Sequence, residues 1–452
     1  MYRNPRRYKD DVYCDVMLNH LERNSCLVSK KGLYLSLKAH CDENKEINLY
    51  SLIPRTYFLA SGSQTQIESR YQDMADFLAF NDNVPISCSS AIHSQELPLQ
   101  IESDQYCRVK LAAMNGVVGI PTLETIESSG SIPISVLDMP VDVKAPVDII
   151  WILKPASKTN RGFGIQVVRG VKEVLDIVNR PISSRVSKIK GCPVNKNIIQ
   201  GKKENCEPKS GDKVNSRSLS KAVGRAGAQE GWIVQLYMDR PMLISGRKFD
   251  IRCFVLITNF PGECLRAYFF KDAYVRTSSK KYSLVSLSDR EAHLTNDAIQ
   301  NKSKTYGKFE DGNKLSFAEW QTTILRDYPH ASPNIVEEKF RPEIMRLSKI
   351  SIAAAAKDLQ KTKINRSFEL LGYDYMVDDT FRVNLIEINS NPCLEFVCPL
   401  LVDIISSLLE NVVKLALDSQ LLPPRKNSRT SVCHEAVLEI SKQETKFCQI
   451  YP

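Results

Sequence analysis

The 452-residue sequence lacks most of the features that would assign a chain at sight. No stretch approaches 18 consecutive apolar residues, and the opening "MYRNPRRYKDDVYCDV" has no apolar leader core. Neither a membrane span nor a signal peptide is expected. The thirteen cysteines are dispersed, with no CxxC pair. That excludes the usual zinc spacings, and scattered thiols suit the reducing cytosol. The GxxxxGK[ST] pattern of a Walker A loop is missing, and so is any internal repeat. What is present is ordinary in bulk. At 43% hydrophobic and 25% charged, the chain has enough material for two or three domains. Its formal net charge of +9 favours an acidic partner surface and says nothing about fold. No nucleic-acid or membrane partner is expected, and the chain is expected to be a monomer.

Strand and helix signals are uneven along the chain. "SLIPRTYFLA" (51–60) predicts a strand or turn leading into a helix around "MADFLAF". "DIIWILKP" (148–155) and "GIQVVRG" flank a glycine-bearing loop and predict a hairpin. "GWIVQLYM" (231–238) and "GRKFDIRCFVLIT" (246–258) are strand-like. "PEIMRLSKISIAAAAKDLQ" (342–360) and "LLVDIISSLLENVVKLALDS" (400–419) carry amphipathic helical patterns. Residues 181–230 hold eleven Lys/Arg against four Asp/Glu and few large apolar groups, which predicts a basic, mobile insertion. The expected division is an N-terminal domain over 1–105, a central unit over 106–241, a C-terminal unit over 242–420 and a loosely attached tail over 421–452.

Three short stretches carry chemistry. In "FRVNLIEINSNPCLE" (381–395), Glu387 and Asn389 are two apart on a strand and share a face. Upstream, "FELLGYDYMVDD" places Asp374 on a second strand, and a four-residue loop at 379–382 sets Asp374 opposite Glu387. Facing carboxylates repel, and a divalent cation reverses that sign. Asp374, Glu387 and Asn389 offer three hard oxygen ligands of the kind Mg²⁺ takes beside a nucleotide. Alternatively, one acid sits in solvent and a basic partner satisfies the other. In "GRKFDIR", Lys248, Asp250 and Arg252 share one strand face, while Phe249, Ile251 and Cys253 take the other. Such a line suits phosphates and a carboxylate, or else a solvated face with ion pairs. In "WILKPASKTNRGFGI", Lys154 ends a strand before two glycines, where backbone amides reach phosphates. Thr295 and Asn296 precede a helix, for which an N-cap role is the simpler expectation. His293 is expected to be structural.

Together, WILKP…RGFGI, VQLYMDRPMLISGRKFDIR, HLTN and FELLGYDYMVDD…LIEINSNPCLE, in this order, resemble the tubulin–tyrosine ligase-like family over roughly residues 145–420. The resemblance implies an α+β, ATP-grasp fold: mixed or antiparallel sheets with flanking helices, and ATP between two α+β subdomains. It implies that Lys154 and Lys248 reach the nucleotide and that Gln235, Leu236, Tyr237 and Met238 form the adenine-side hinge. Leu236 stands where many members have a lysine. Asp250, Arg252 and Arg266 would line the ATP and acceptor side, and Thr295 and Asn296 would lie near ribose and phosphates. Asp374, Glu387 and Asn389 would hold Mg²⁺. Lys110 in "CRVKLAAMNG" matches a further ATP lysine only loosely.

The activity so implied is carboxylate–amine ligation. A tail carboxylate attacks the γ-phosphate of ATP, and an amino group then displaces phosphate from the acyl phosphate. The acceptor would be an acidic tubulin tail and the donor a free amino acid. "SKTYGKFEDGNKLSF" and "YVRTSS" resemble the tyrosine-adding branch, so tyrosine is the favoured donor. Glutamylation or glycylation is the alternative, since Arg276, Lys280 and Lys281 supply cations that a glutamate donor needs. A catalytically inactive microtubule-binding protein is a third reading. The implied location is the cytoplasm and cytoskeleton, including the cilium or basal body.

Overall fold

Thirteen residues, Arg247–Asn259, form the strand β6 around which the larger sheet is built. Its odd side, Phe249, Ile251, Cys253, Val255 and Ile257, packs in the main core with Ile344, Leu347, Ile352 and Leu359. Those four belong to the helix Arg341–Leu359, whose Pro342 suits a first-turn position. On its even side, Phe254 and Leu256 pack with Leu401, Ile405 and Leu408 of the helix Pro399–Val412. The three charged residues Lys248, Asp250 and Arg252 occupy the first half of that even side and are buried as well. The strand thus has an apolar face, and a second face split between chemistry and core.

This computed structural model describes residues 17–60, 67–83, 149–156, 162, 164–179, 231–260, 263–361, 366–418 and 445–452. The loosely matched Lys110, the basic insertion at 181–230 and most of the expected tail lie outside the described residues. Among the described residues there are two antiparallel sheets. The first has the order β1-β4-β2-β3, with β1 at Thr56–Ala60, β2 at Ile150–Pro155, β3 at Gln166–Arg169 and β4 at Gly231–Leu236. The second runs β11-β10-β6-β7-β12, with β7 at Arg266–Phe270, β10 at Ser367–Val377, β11 at Val383–Asn389 and β12 at Phe447–Tyr451. Strands β5 (Leu243–Ile244) and β8 (Tyr274–Lys281) also pair with β6, and β9 (Lys314–Ser316) pairs with β8. Helices flank both sheets, so the α+β expectation holds. No helix among the described residues is long and apolar enough to cross a membrane.

Both expected hairpins form. Strands β2 and β3 pair from Ile150↔Arg169 to Leu153↔Gln166. Strands β10 and β11 pair with Asp374 opposite Glu387, and a bulge follows at Asp374/Tyr375. Two boundaries differ from expectation. Thr56–Ala60 pairs with β4 and so completes the central sheet, rather than belonging to a separate N-terminal unit. The end of the chain is not a loose tail, because Phe447–Tyr451 pairs with β7 and Phe447 is buried. Phe447 packs in one core, and Ile450 and Tyr451 pack against the other.

Candidate active site

Between the two sheets opens a cleft lined by residues of both. Strand β2 brings Lys154, β4 and the turn after it bring Gln235 to Met238, and β6 brings Lys248 and Asp250. Strands β10 and β11 bring Asp374, Glu387 and Asn389, and the loop before a short helix brings Thr295 and Asn296. Twelve of the fourteen site residues expected from the sequence therefore line one cleft. Arg252 stands just behind it, bound to Asp374. Arg266 is elsewhere: it pairs with Glu263 at 2.7 Å and sits opposite Thr258 on the ladder. Thr258 lies eight positions beyond Asp250, roughly 26 Å along the strand. Arg266 lines no part of this cleft.

Two lysines face the cleft from buried positions. Lys154 is 5% exposed and Lys248 3% exposed. Lys154 donates to Gln235 Oε1 at 2.8 Å, and Lys248 donates to the Tyr237 hydroxyl at 3.0 Å. Among the described residues neither reaches a carboxylate at ion-pair distance. Burial lowers the Lys154 ammonium to about 8 and the Lys248 ammonium to about 7, against the pull of nearby carboxylates. Among the described residues these amines have carboxylates nearby but none in an ion pair, in a place that a polyanion can enter.

The acids are treated differently. Arg276 grips Asp250 through both carboxylate oxygens at 2.7 and 2.5 Å and reaches Asp374 at 2.9 Å. Arg252 binds Asp374 at 2.6 and 3.2 Å. Burial would raise the Asp374 carboxyl, but Arg252 and Arg276 outweigh it and hold it down to about 2. Thr295 donates to Asp250 at 2.7 Å, and Asn296 stands at the N-cap position without capping the helix through its side chain. The side chain of Glu387 is half-buried, with Lys30 at 3.8 Å. The Asn389 amide lies 3.4 Å from Asp374 and 3.3 Å from Glu387. Turned over, it would put a third oxygen beside theirs. Among the described residues no group of three or more His, Cys, Asp or Glu gathers for a metal. The donor set is two carboxylates and one amide. It fits a hard cation, which would share Asp374 with two guanidiniums.

Spacing alone could not place Arg276, Lys30, Arg290 or the partners of the two lysines. Arg276 arrives because β8 pairs with β6 and sets it against Asp250. Lys30 comes from the helix Lys30–Glu43, in a region with no strand signal. Arg290 donates to the Gly162 carbonyl at 2.6 Å and pins the glycine loop. Gly162 and Gly164 both have left-handed φ, at +70° and +74°, so glycine suits both positions. His293 is buried and bonded on both ring nitrogens, in keeping with a structural role. In the segment expected to form the hinge, the backbone N–H of Leu236 goes to the Arg55 carbonyl and that of Tyr237 to the Ile150 carbonyl. A smaller cavity opens behind Lys154 and Gln235, walled by Leu27, Ser29, Leu33 and Tyr34.

The sequence model of the Tubulin-tyrosine ligase family matches residues 124–429, more than half of the chain. The chain belongs to this family. Its ATP-grasp architecture follows, and the two antiparallel sheets with a cleft between them agree with it. The chain is similar to Tubulin glycylase 3D of Tetrahymena thermophila, at 26% identity over 90% of this chain and 44% of that protein. It is 31% identical to Tubulin glycylase 3A of Drosophila melanogaster over 61% of this chain and 23% of that protein. It is 29% identical to Probable tubulin polyglutamylase TTLL9 of Rattus norvegicus over 54% of this chain and 49% of that protein. The chain thus spans half or less of the length of these curated relatives. Their names support the expected glycylation or glutamylation alternative better than tyrosination.

Proposed function

We propose that this protein is an ATP-dependent ligase that joins an amino acid to glutamate carboxylates of tubulin tails, with glycine or glutamate favoured as donor over tyrosine. The observation that carries the reading is the pair of buried lysines with no ion-pair partner among the described residues, facing Asp374, Glu387 and Asn389 across one cleft. A triphosphate suits that asymmetry. Lys154 and Lys248 would take phosphate oxygens on one side. Asp374, Glu387 and Asn389 would hold Mg²⁺ on the other, where it would offset phosphate charge. The acceptor carboxylate attacks the γ-phosphorus, and ADP departs. The donor amine then attacks the acyl carbon, loses its proton and expels phosphate. The chain supplies alignment and charge, and the site needs no nucleophile of its own.

The donor preference rests on the relatives, whose names are glycylases and polyglutamylases. Net charge supports an acidic partner, and tubulin as substrate supports a cytoplasmic, cytoskeletal location, including the cilium. The intact Lys154, Asp250, Arg252, Asp374, Glu387 and Asn389 speak against an inactive binding protein. The test incubates the protein with tubulin, ATP and glycine, glutamate or tyrosine, followed by mass spectrometry of the tails. Glycine or glutamate increments on internal tail glutamates are expected. A single tyrosine at the α-tubulin terminus would reverse the donor assignment, and no increment with any donor would reject ligation.

A further inference from the structure

Each of the two buried cleft lysines is the head of a chain of neutral hydrogen bonds that ends on a backbone carbonyl. Lys248 Nζ lies 3.0 Å from Tyr237 Oη, Tyr237 Oη 2.8 Å from His293 Nδ1, and His293 Nε2 2.9 Å from the Ser286 carbonyl. A carbonyl only accepts, so Nε2 carries the imidazole proton. Nδ1 is then bare and accepts, and the Tyr237 hydroxyl must donate to it. The Tyr237 oxygen is left to accept from Lys248. Lys154 repeats the pattern with other residues. It donates to Gln235 Oε1 at 2.8 Å, Gln235 Nε2 donates to Thr56 Oγ1 at 2.8 Å, and Thr56 donates to the Pro54 carbonyl at 2.6 Å.

Ordinary ion pairs would have been easy to build here, since Arg252 and Arg276 have them. A carboxylate partner orients a cation but also cancels its charge. A neutral relay orients it and leaves the charge for a ligand, and polarisation along the chain strengthens each acceptor. We propose that Thr56, Gln235, Tyr237 and His293 are positioning residues, which aim Lys154 and Lys248 at the phosphates of the bound nucleotide through two neutral relays. The proposal rests on the nucleotide reading of the cleft. It also moves the Gln235 side chain from adenine contact to lysine positioning, because both ends of its amide are already engaged. Thr56 lies in the wall of the smaller cavity and not in the nucleotide cleft, so it would act only through Gln235 and Lys154.

The relays are tested in the full-length protein, first without nucleotide. Lysine labelled with ¹³C at Cε is titrated by NMR in the wild type, Tyr237→Phe and Thr56→Val. The other groups facing Lys248 are Asp250, Asp239, Lys154 and Tyr282, and those facing Lys154 are Glu387, Asp374 and Lys30; all are unchanged in these variants. Loss of the acceptor chain should lower the titration point of Lys248 in Tyr237→Phe and of Lys154 in Thr56→Val. Unmoved titrations in both variants overturn the proposal, whatever the cleft binds. The second arm measures ATP affinity by calorimetry. Tyr237→Phe should weaken it about tenfold and Thr56→Val about threefold. Neither should cause further loss when combined with Lys248→Met or Lys154→Met respectively, since the partners act as one unit. Full additivity overturns the relays. A wild type that binds no ATP instead rejects the nucleotide reading, and the titration arm still decides the relays.

Discussion

The two halves of the even face of β6 are equally dry and differ in every other respect. Lys248, Asp250 and Arg252 are charged, whereas Phe254 and Leu256 are apolar, and all five are buried. The apolar half is answered by helix side chains. The charged half is answered group by group: Asp250 by Arg276 and Thr295, Arg252 by Asp374, and Lys248 by the Tyr237 hydroxyl and the rings of Tyr237 and Tyr282. Burial therefore does not separate structure from function on this strand. The nature of the partner does. A buried ion closed by an opposite ion is a finished structural unit. A buried ion closed by a neutral group is an unfinished one, and it points to a ligand.

The largest expected effect comes from removing one charge at the cleft. Glu387→Gln keeps size and shape at a half-buried position. Turnover should fall on the order of 10²–10³-fold, as when one transition-state contact is lost. The unfolding midpoint should stay within about 2 °C, because no buried pair is broken. Turnover assays and a thermal scan check both halves. Full turnover in a folded Glu387→Gln protein would remove Glu387 from the metal set.

The apolar half should invert that pattern. Phe254→Ala leaves a cavity against Ile405 and Leu408 of the covering helix and should cost about 3–5 kcal/mol of stability. Below the lowered midpoint, turnover should remain within a few-fold of wild type. Denaturant unfolding and a low-temperature assay read the two quantities. Equal losses of activity in Phe254→Ala and Glu387→Gln would break the distinction drawn between the halves.

Much of this contrast was legible in the sequence, because it is local. Alternation on a strand gave the shared face of Lys248, Asp250 and Arg252; the pairing of Asp374 with Glu387 was expected from a four-residue loop, but the loop is 378–382 and a bulge at Asp374/Tyr375 restores that pairing. What was hidden depends on chain pairing over long separations. The β8–β6 ladder that delivers Arg276 has no signature in spacing. Thr56 reaches Gln235 only because β1 lies against β4, although the sequence around it predicts a separate unit. Arg266 shows the converse error. The resemblance implied a place for it beside the ATP and acceptor, yet the length of β6 carries it away from the cleft.

The edge strand β12 offers a smaller test on the apolar side. It pairs with β7, at the opposite end of the sheet order from β11 and away from the cleft. Removing residues 447–452 deletes that ladder and the buried Phe447 ring. A loss of about 2–3 kcal/mol is expected, close to the burial of one large apolar side chain. ATP affinity should not change. Chemical denaturation and calorimetry on the shortened chain test this, and a large fall in affinity would link the sheet edge to the site.

The smallest effect is the most specific to a buried charge closed by a neutral partner. Lys248 is lowered to about 7 and Lys154 to about 8, chiefly by burial. Phosphates beside them favour the ammonium form and raise both values in the complex. The bound state then holds more protons than the free state above pH 7, so binding takes up protons there. Affinity should be flat in this respect below pH 7 and should fall as pH rises through 7 and then 8. Each lysine can contribute at most tenfold per pH unit, or about 1.4 kcal/mol. Phosphate groups themselves are ionised well before this range, with a second pKa of about 6. Arg252 and Arg276 cannot produce such a signal, because they stay charged throughout. Calorimetry at pH 8 in two buffers of different ionisation enthalpy should therefore show net proton uptake on ATP binding, and Lys248→Met should reduce it. Binding with no proton exchange between pH 7 and 9 would mean that the lysines are already charged in the free cleft, and that burial with neutral partners does not set them apart from the closed pairs beside them.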